Sequence, residues 1–322
     1  MRQFPRPTVL VSRCLEFGNV RHDGHGVRSD IVRDMMPLAD IIPVCPEIEI
    51  GLGVPRDPLR LVRVDGEDRL IMPSTGEDLT DRMLDFTTDF LDGLGDIDGC
   101  IFKGHSPSMG IDDAKVYAKE SMSPVVKRMS GLFAGQVIDR YPGYPIEEND
   151  RLRNSRIRHH FLTQLYTFTA FRQVKAEGSM EALVEFHRNN RFLFISYDPV
   201  IATEMSLLPG SGKDISLILD EYGSLLSSLM RRPGSVDQKV NAARDMFSML
   251  ADITQEESSF FEDMVGRYVN NIISEDAVFE VLRMLAFRSQ GEGSYYNSFL
   301  YPYPEQLRGK VDEIRDKEYW DK

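Results

Sequence analysis

The sequence predicts an α/β N-terminal domain with a mostly parallel sheet, followed by an all-α helical C-terminal domain. Three observations carry this. Short, apolar, β-branched runs alternate with helical patterns in the first part: "PTVLVS" (7–12), "ADIIPV" (39–44) and "DGCIFK" (98–103). A stretch without periodicity, "DRYPGYPIEEND" (139–150), then interrupts the chain, and beyond it nearly every segment reads helical. These set the expected domains at 1–145 and 146–322.

Each element has a local reason. Strands separated by helices are the pattern of a parallel sheet with helices packed on it. Between the second and third strands, Leu79, Met83, Phe86, Phe90 and Leu94 recur at helical spacing and give one buried face. "RVDGEDR" (63–69) predicts a hairpin, because Asp-Gly suits a tight two-residue turn. In the second part "RLRNSRIRHHFLTQLYTFTAFRQVKAEG" stops at Gly178, and Ser179 is placed to cap the next helix. Ser235 with Gln238, and Thr254 with Glu257, have capping-box spacing at the heads of two more.

At 322 residues the chain exceeds the usual size of one domain, which supports a two-domain reading. The formal net charge of -13 argues against a general nucleic-acid backbone binder, which needs clustered cations to displace counterions. A local basic stretch, Arg151, Arg153, Arg156, Arg158, His159 and His160, leaves transfer RNA open, although a solvated charged helix is the stronger reading. No apolar run reaches the length of a membrane span, and "MRQFPRPTVLVSRC" lacks the apolar centre and cleavage site of a signal peptide. A cytoplasmic protein without a membrane partner is expected. Three cysteines, an odd number, make no disulfide framework.

Each apolar run leads at once into unusual polar residues: "SRCLEFGNVRHDG", "CPEIEIGLGVPRDP" and "GHSPSMG". Ligands of parallel sheets bind beyond the carboxyl ends of the strands. The three loops are therefore expected to bring Cys14, Cys45, Glu47, His105 and Ser106 together. Two thiols, a carboxylate, an imidazole and a hydroxyl suit a metal or a nucleophile better than packing. Cys100, inside a strand, reads instead as a small buried hydrophobe.

The motifs "VSRCLEFGNVRHDG", "PVCPEIEIGLGVPRDPLRLV", "STGEDLT" and "CIFKGHSPSMGIDDAKVY" resemble, in order and spacing, those of the thiouracil desulfurase family. "FHRNNRFLFISYDP" and "LYPYPEQL" (300–307) resemble the helical domain of unknown function that often follows it. The resemblance implies a non-redox desulfurase in which three cysteines hold a [4Fe-4S] cluster whose fourth iron takes sulfur from a thiolated pyrimidine. Carried over by position, Cys14 and Cys45 are cluster ligands and Glu47 and Ser106 are catalytic, while Met109 occupies the third cysteine position. Val20 stands where many members have a further cysteine.

A thioether is neutral and a weaker partner for iron than a thiolate. His105 lies in the same loop and can ligate zinc, so Cys14, Cys45 and His105 form an alternative metal set. Two functions follow: a desulfurase acting on a thiolated base, nucleoside or related thio compound, or a cluster-free or zinc-containing variant. The variant would be a hydrolase or a small-molecule or nucleotide-binding protein.

Overall fold

The computed structural model describes residues 2–119, 123–289 and 297–309. It has an N-terminal α/β region with a parallel sheet and a C-terminal region that is mostly helical. The chain divides into two compact units, one comprising Arg6–Thr169 with the described residues from Gln306 on, the other Ala170–Glu305 with the described residues up to Pro5.

Strands β1 (Thr8–Ser12) and β2 (Asp40–Val44) are linked by helix α1 (Asp30–Met35), whose N-cap Ser29 accepts a hydrogen bond from the Val32 amide. Pro46 directly after β2 starts the short helix α2 (Pro46–Glu49), with Cys45 at its N-cap. Strands β3 (Arg60–Val64) and β4 (Glu67–Met72) form the expected antiparallel hairpin. Its turn residues Asp65 and Gly66 both have positive φ, 49° and 88°, as a type I′ turn requires.

After β5 (Glu77–Asp78) comes helix α3 (Thr80–Gly93), the helix predicted from its apolar spacing. It buries Met83 and Leu91, and Phe86 and Phe90 pack against Phe133 with ring centroids 6.3 and 5.7 Å away. Then follow β6 (Gly99–Phe102), β7 (Ala114–Tyr117), β8 (Val125–Met129), helix α4 (Leu132–Arg140) and β9 (Ile146–Glu148).

The first sheet is wholly parallel, in the order β2-β1-β6-β9. Its central residues Val9, Leu10, Val11, Cys100, Ile101 and Phe102 are fully buried. Burial on both faces explains why these strands read as continuous apolar runs rather than alternating ones. The aperiodic stretch 139–150 contributes β9, which pairs with β6 and so belongs to this sheet. The second sheet is mixed, in the order β5-β4-β3-β7-β8.

The helical region runs from α5 (Ser155–Glu177) through α6 (Met180–Tyr197), α7 (Pro199–Leu207), α8 (Ile215–Leu229), α9 (Val236–Phe247), α10 (Gln255–Val269) and α11 (Glu275–Ser289). Gly178, at φ 67°, terminates α5 in the left-handed conformation that favours glycine. Ser179 caps α6 through the Ala182 amide, and both capping boxes, Ser235/Gln238 and Thr254/Glu257, are formed. Phe194, Tyr222 and Phe261 are fully buried in this unit. No helix among the described residues is long and apolar enough to cross a membrane.

Candidate functional site

Strands β1, β2 and β6 run parallel, so the loops leaving their carboxyl ends gather at one edge of the sheet. There they enclose a cavity of about 440 Å³ lined by Cys14, Cys45, Glu47, His105, Ser106 and Met109, among others. The pairing of β1 with β2 continues past the strand ends, because the Arg13 amide donates to the Val44 carbonyl at 2.8 Å. This brings the segments carrying Cys14 and Cys45 side by side. Cys100 does not line this cavity and is fully buried in the core.

Glu47 is the centre of the polar network. Only 9% exposed, it accepts from Ser108 Oγ at 2.5 Å through Oε1 and from the Cys45 thiol at 3.4 Å through Oε2. Arg56 stands 3.9 Å from Oε2 and is held by donation to the Val20 carbonyl at 2.9 Å. A buried carboxylate requires such partners, since desolvation penalises its charge.

Burial, and then the nearby Glu47 charge, push the Cys14 thiol up to about 11 and the Cys45 thiol up to about 12. Both are protonated at neutral pH. Burial alone drives the Cys100 thiol upward.

The loop after β6 is fixed from several sides. Ser106 Oγ accepts from the amides of Ser108 (3.3 Å) and Met109 (3.2 Å) and lies 3.0 Å from Ser108 Oγ. The start of α4 donates to the loop carbonyls: Gly131 to Gly110, Leu132 to Pro107 and Ala134 to Ser108, at 2.8, 3.1 and 2.9 Å. A Cβ at Gly131 would overlap the Ser108 carbonyl group, so glycine is needed there for close approach.

His105, at φ 61°, is clamped by Asp113, which accepts from its amide at 2.8 Å and stands 2.5 Å from its Nδ1. The imidazole is 69% exposed. Behind the loop, Glu148 accepts from the Ile111 amide at 2.9 Å. Burial, then the neighbouring Asp113 charge, outweigh that bond and raise its carboxyl to about 7.

Chain order and spacing alone identified five of these groups but missed Ser108, Arg56, Asp113 and Glu148. Ser108 was visible as the second serine of "SPS". Its burial and its aim at Glu47 depend on α4 packing onto the loop, which short-range pattern does not encode. The basic stretch after residue 150 is largely committed within its own unit: Arg151 pairs with Glu147 at 2.7 Å, Arg153 with Asp150 at 3.5 Å and Arg158 with Asp34 at 3.2 Å.

Residues 9–149 match the model of the 2-thiouracil desulfurase family, and residues 191–304 match a family of proteins of unknown function, DUF1722. The chain belongs to the 2-thiouracil desulfurase family through its α/β part, with a DUF1722 domain following. It is 30% identical over 109 residues to the uncharacterized protein YbbK of Bacillus subtilis (strain 168), covering 32% of this chain and 72% of that protein. Among solved structures it is similar to the [4Fe-4S]-dependent thiouracil desulfidase TudS, at 24% identity and a TM-score of 0.35, over 46% of this chain and 93% of that one.

The donor set does not fit a cluster held by three thiolates. Two thiols face the cavity, and the third sulfur is the Met109 thioether, 3% exposed and part of the apolar core with Leu10, Phe102 and Phe133. A neutral thioether cannot supply the charge that an iron-sulfur cluster takes from its ligands. Among the described residues, no group of three or more His, Cys, Asp or Glu side chains is placed to hold a metal ion, and His105 Nδ1 is engaged by Asp113.

Proposed function

We propose that the cavity takes a thiolated pyrimidine or a related small thio compound and replaces its sulfur by oxygen in a non-redox hydrolysis. The observation that carries this reading is the buried Glu47, fixed by Ser108 and Cys45 at a cavity lined by two thiols, in a chain of the 2-thiouracil desulfurase family. The reaction is thiocarbonyl plus water giving carbonyl plus hydrogen sulfide, and it needs no oxidant or reductant.

Glu47 accepts a proton from water as the water oxygen bonds to the carbon bearing sulfur, and the carbon–sulfur π pair moves onto sulfur. Both protons of the added water end on sulfur. The one taken by Glu47 is delivered as the carbon–sulfur bond breaks, the second passes from oxygen to sulfur as the carbonyl forms, and hydrogen sulfide leaves. The Cys14 and Cys45 thiols offer a polarizable, uncharged surface to that sulfur. Ser106 supplies a hydroxyl at the cavity wall. No step is routed through a cluster, because the donor set lacks the third thiolate.

The test is anaerobic purification of the full chain, incubation with 2-thiouracil and 4-thiouracil, and measurement of sulfide and uracil. Sulfide and uracil in equal amounts are expected, and Glu47→Gln should lower the rate by about 100-fold or more, the range of a lost acid–base group. Absence of sulfide release from either base overturns the reading. A second reading, binding without turnover, is favoured by one observation: the Glu47 charge is already met by Ser108, Cys45 and Arg56. It predicts calorimetric binding with the thio compound recovered intact.

A further inference from the structure

Ser108 is fully buried, while Glu47 and Ser106 on either side of it both line the cavity. Its hydroxyl lies 2.5 Å from Glu47 Oε1 and 3.0 Å from Ser106 Oγ, so the three side chains form one continuous hydrogen-bonded string. A hydroxyl has one proton and two lone pairs, and an ionised carboxylate only accepts. With Glu47 ionised, the single Ser108 proton must point at Glu47, and Ser106 must donate to Ser108. Ser106 then has nothing left to offer: its proton is used, and its oxygen already accepts from the Ser108 and Met109 amides at 3.3 and 3.2 Å.

When Glu47 gains a proton the string reverses. Glu47 donates to Ser108, Ser108 donates to Ser106 in place of one of its two long amide bonds, and the Ser106 proton turns toward the cavity. A proton taken from water at one wall thereby reappears as a donor at another wall. The balance is one proton in at Glu47 and one out at Ser106: as sulfur takes the Ser106 proton, Ser108 passes its proton to Ser106 and Glu47 passes its proton to Ser108, which leaves Glu47 ionised again.

We propose that Ser108 is a positioning residue that orients Glu47 and relays its proton to Ser106, from which the departing sulfur is protonated. The proposal rests on the desulfurase reading of the same cavity. Two features hold the relay in register. The amides of Leu132 and Ala134 fix the carbonyls on either side, and the missing Cβ at Gly131 lets the helix start press directly on the Ser108 backbone. Ser108 is shut off from the cavity by burial, so it serves the reaction only through its neighbours.

The experiment uses the full chain as wild type, Ser108→Ala, Ser108→Thr, Ser106→Ala and Glu47→Gln. It measures kcat and KM for sulfide release from 2-thiouracil, the solvent deuterium isotope effect, and the infrared carboxylate band that disappears in Glu47→Gln. Ser108→Ala should lower kcat by about 100-fold with KM unchanged and diminish the isotope effect, and Ser108→Thr, which keeps the hydroxyl, should restore most of the rate. The Glu47 band should shift in Ser108→Ala and also in Ser106→Ala, although Ser106 does not touch Glu47. A folded Ser108→Ala with wild-type kcat, or a band unmoved in Ser106→Ala, overturns the relay. If Ser108→Ala does not fold, the Ser106→Ala band decides with Ser108 in place. If the wild type releases no sulfide, the desulfurase reading falls, and the band shift alone decides whether the string couples Glu47 to Ser106.

Discussion

Met109 decides what the cavity can hold. Its thioether lines the cavity at the position that the resemblance matches to a cysteine, and it packs with the apolar core rather than offering charge to a metal. Met109→Cys should therefore gain iron and labile sulfide on anaerobic reconstitution, with the brown absorbance of a cluster, while the wild type gains neither. Iron and sulfide bound by the wild type would show that another group completes the donor set. Cys14, Cys45 and Glu47 were legible because each stands at a strand end beside polar residues, and the order of the loops makes them meet. Ser106 and Ser108 illustrate the limit. Both are serines in one loop, and only the turn of that loop and the arrival of α4 more than twenty positions later separate a cavity-facing hydroxyl from a buried one.

At the scale of elements, local signals translated directly into structure. The Asp65-Gly66 turn and the two capping boxes each depend on residues no more than a few positions apart, so sequence states them plainly. The parallel pairing of β3 with β7 joins Leu61 to Val116, a separation that no short window registers, and the second sheet beyond its hairpin was correspondingly invisible.

The loop after β6 has its own pH dependence through Glu148, raised from 4.5 to about 7. Between those values the folded protein keeps a proton that the unfolded chain has released. The stabilisation is complete below 4.5 and is lost as pH climbs through about 7. Glu148→Gln, neutral throughout and still able to accept from the Ile111 amide, should unfold at a higher temperature than wild type at pH 8, a gain that should be absent at pH 4. Thermal melts across this range check the prediction. An equal gain at both ends would contradict it.

For the whole molecule, a net charge of -13 means that the folded chain repels itself. Raising ionic strength from about 0.01 to 0.15 M shortens the screening length from roughly 30 to 8 Å and should raise the melting temperature of the wild type, as calorimetry can measure. A fall in melting temperature would instead mean that the many surface ion pairs outweigh the repulsion.

The parallel sheet has a consequence for how such a protein changes over time. Its three cavity loops leave strands that are already paired and buried, so a side chain in them can be exchanged without disturbing the scaffold, while bonds such as Ser108 to Glu47 and Arg56 to Val20 carry the change from one loop to the next. The chemistry of the cavity is open to revision in its linked loops, while the fold beneath them stays the same.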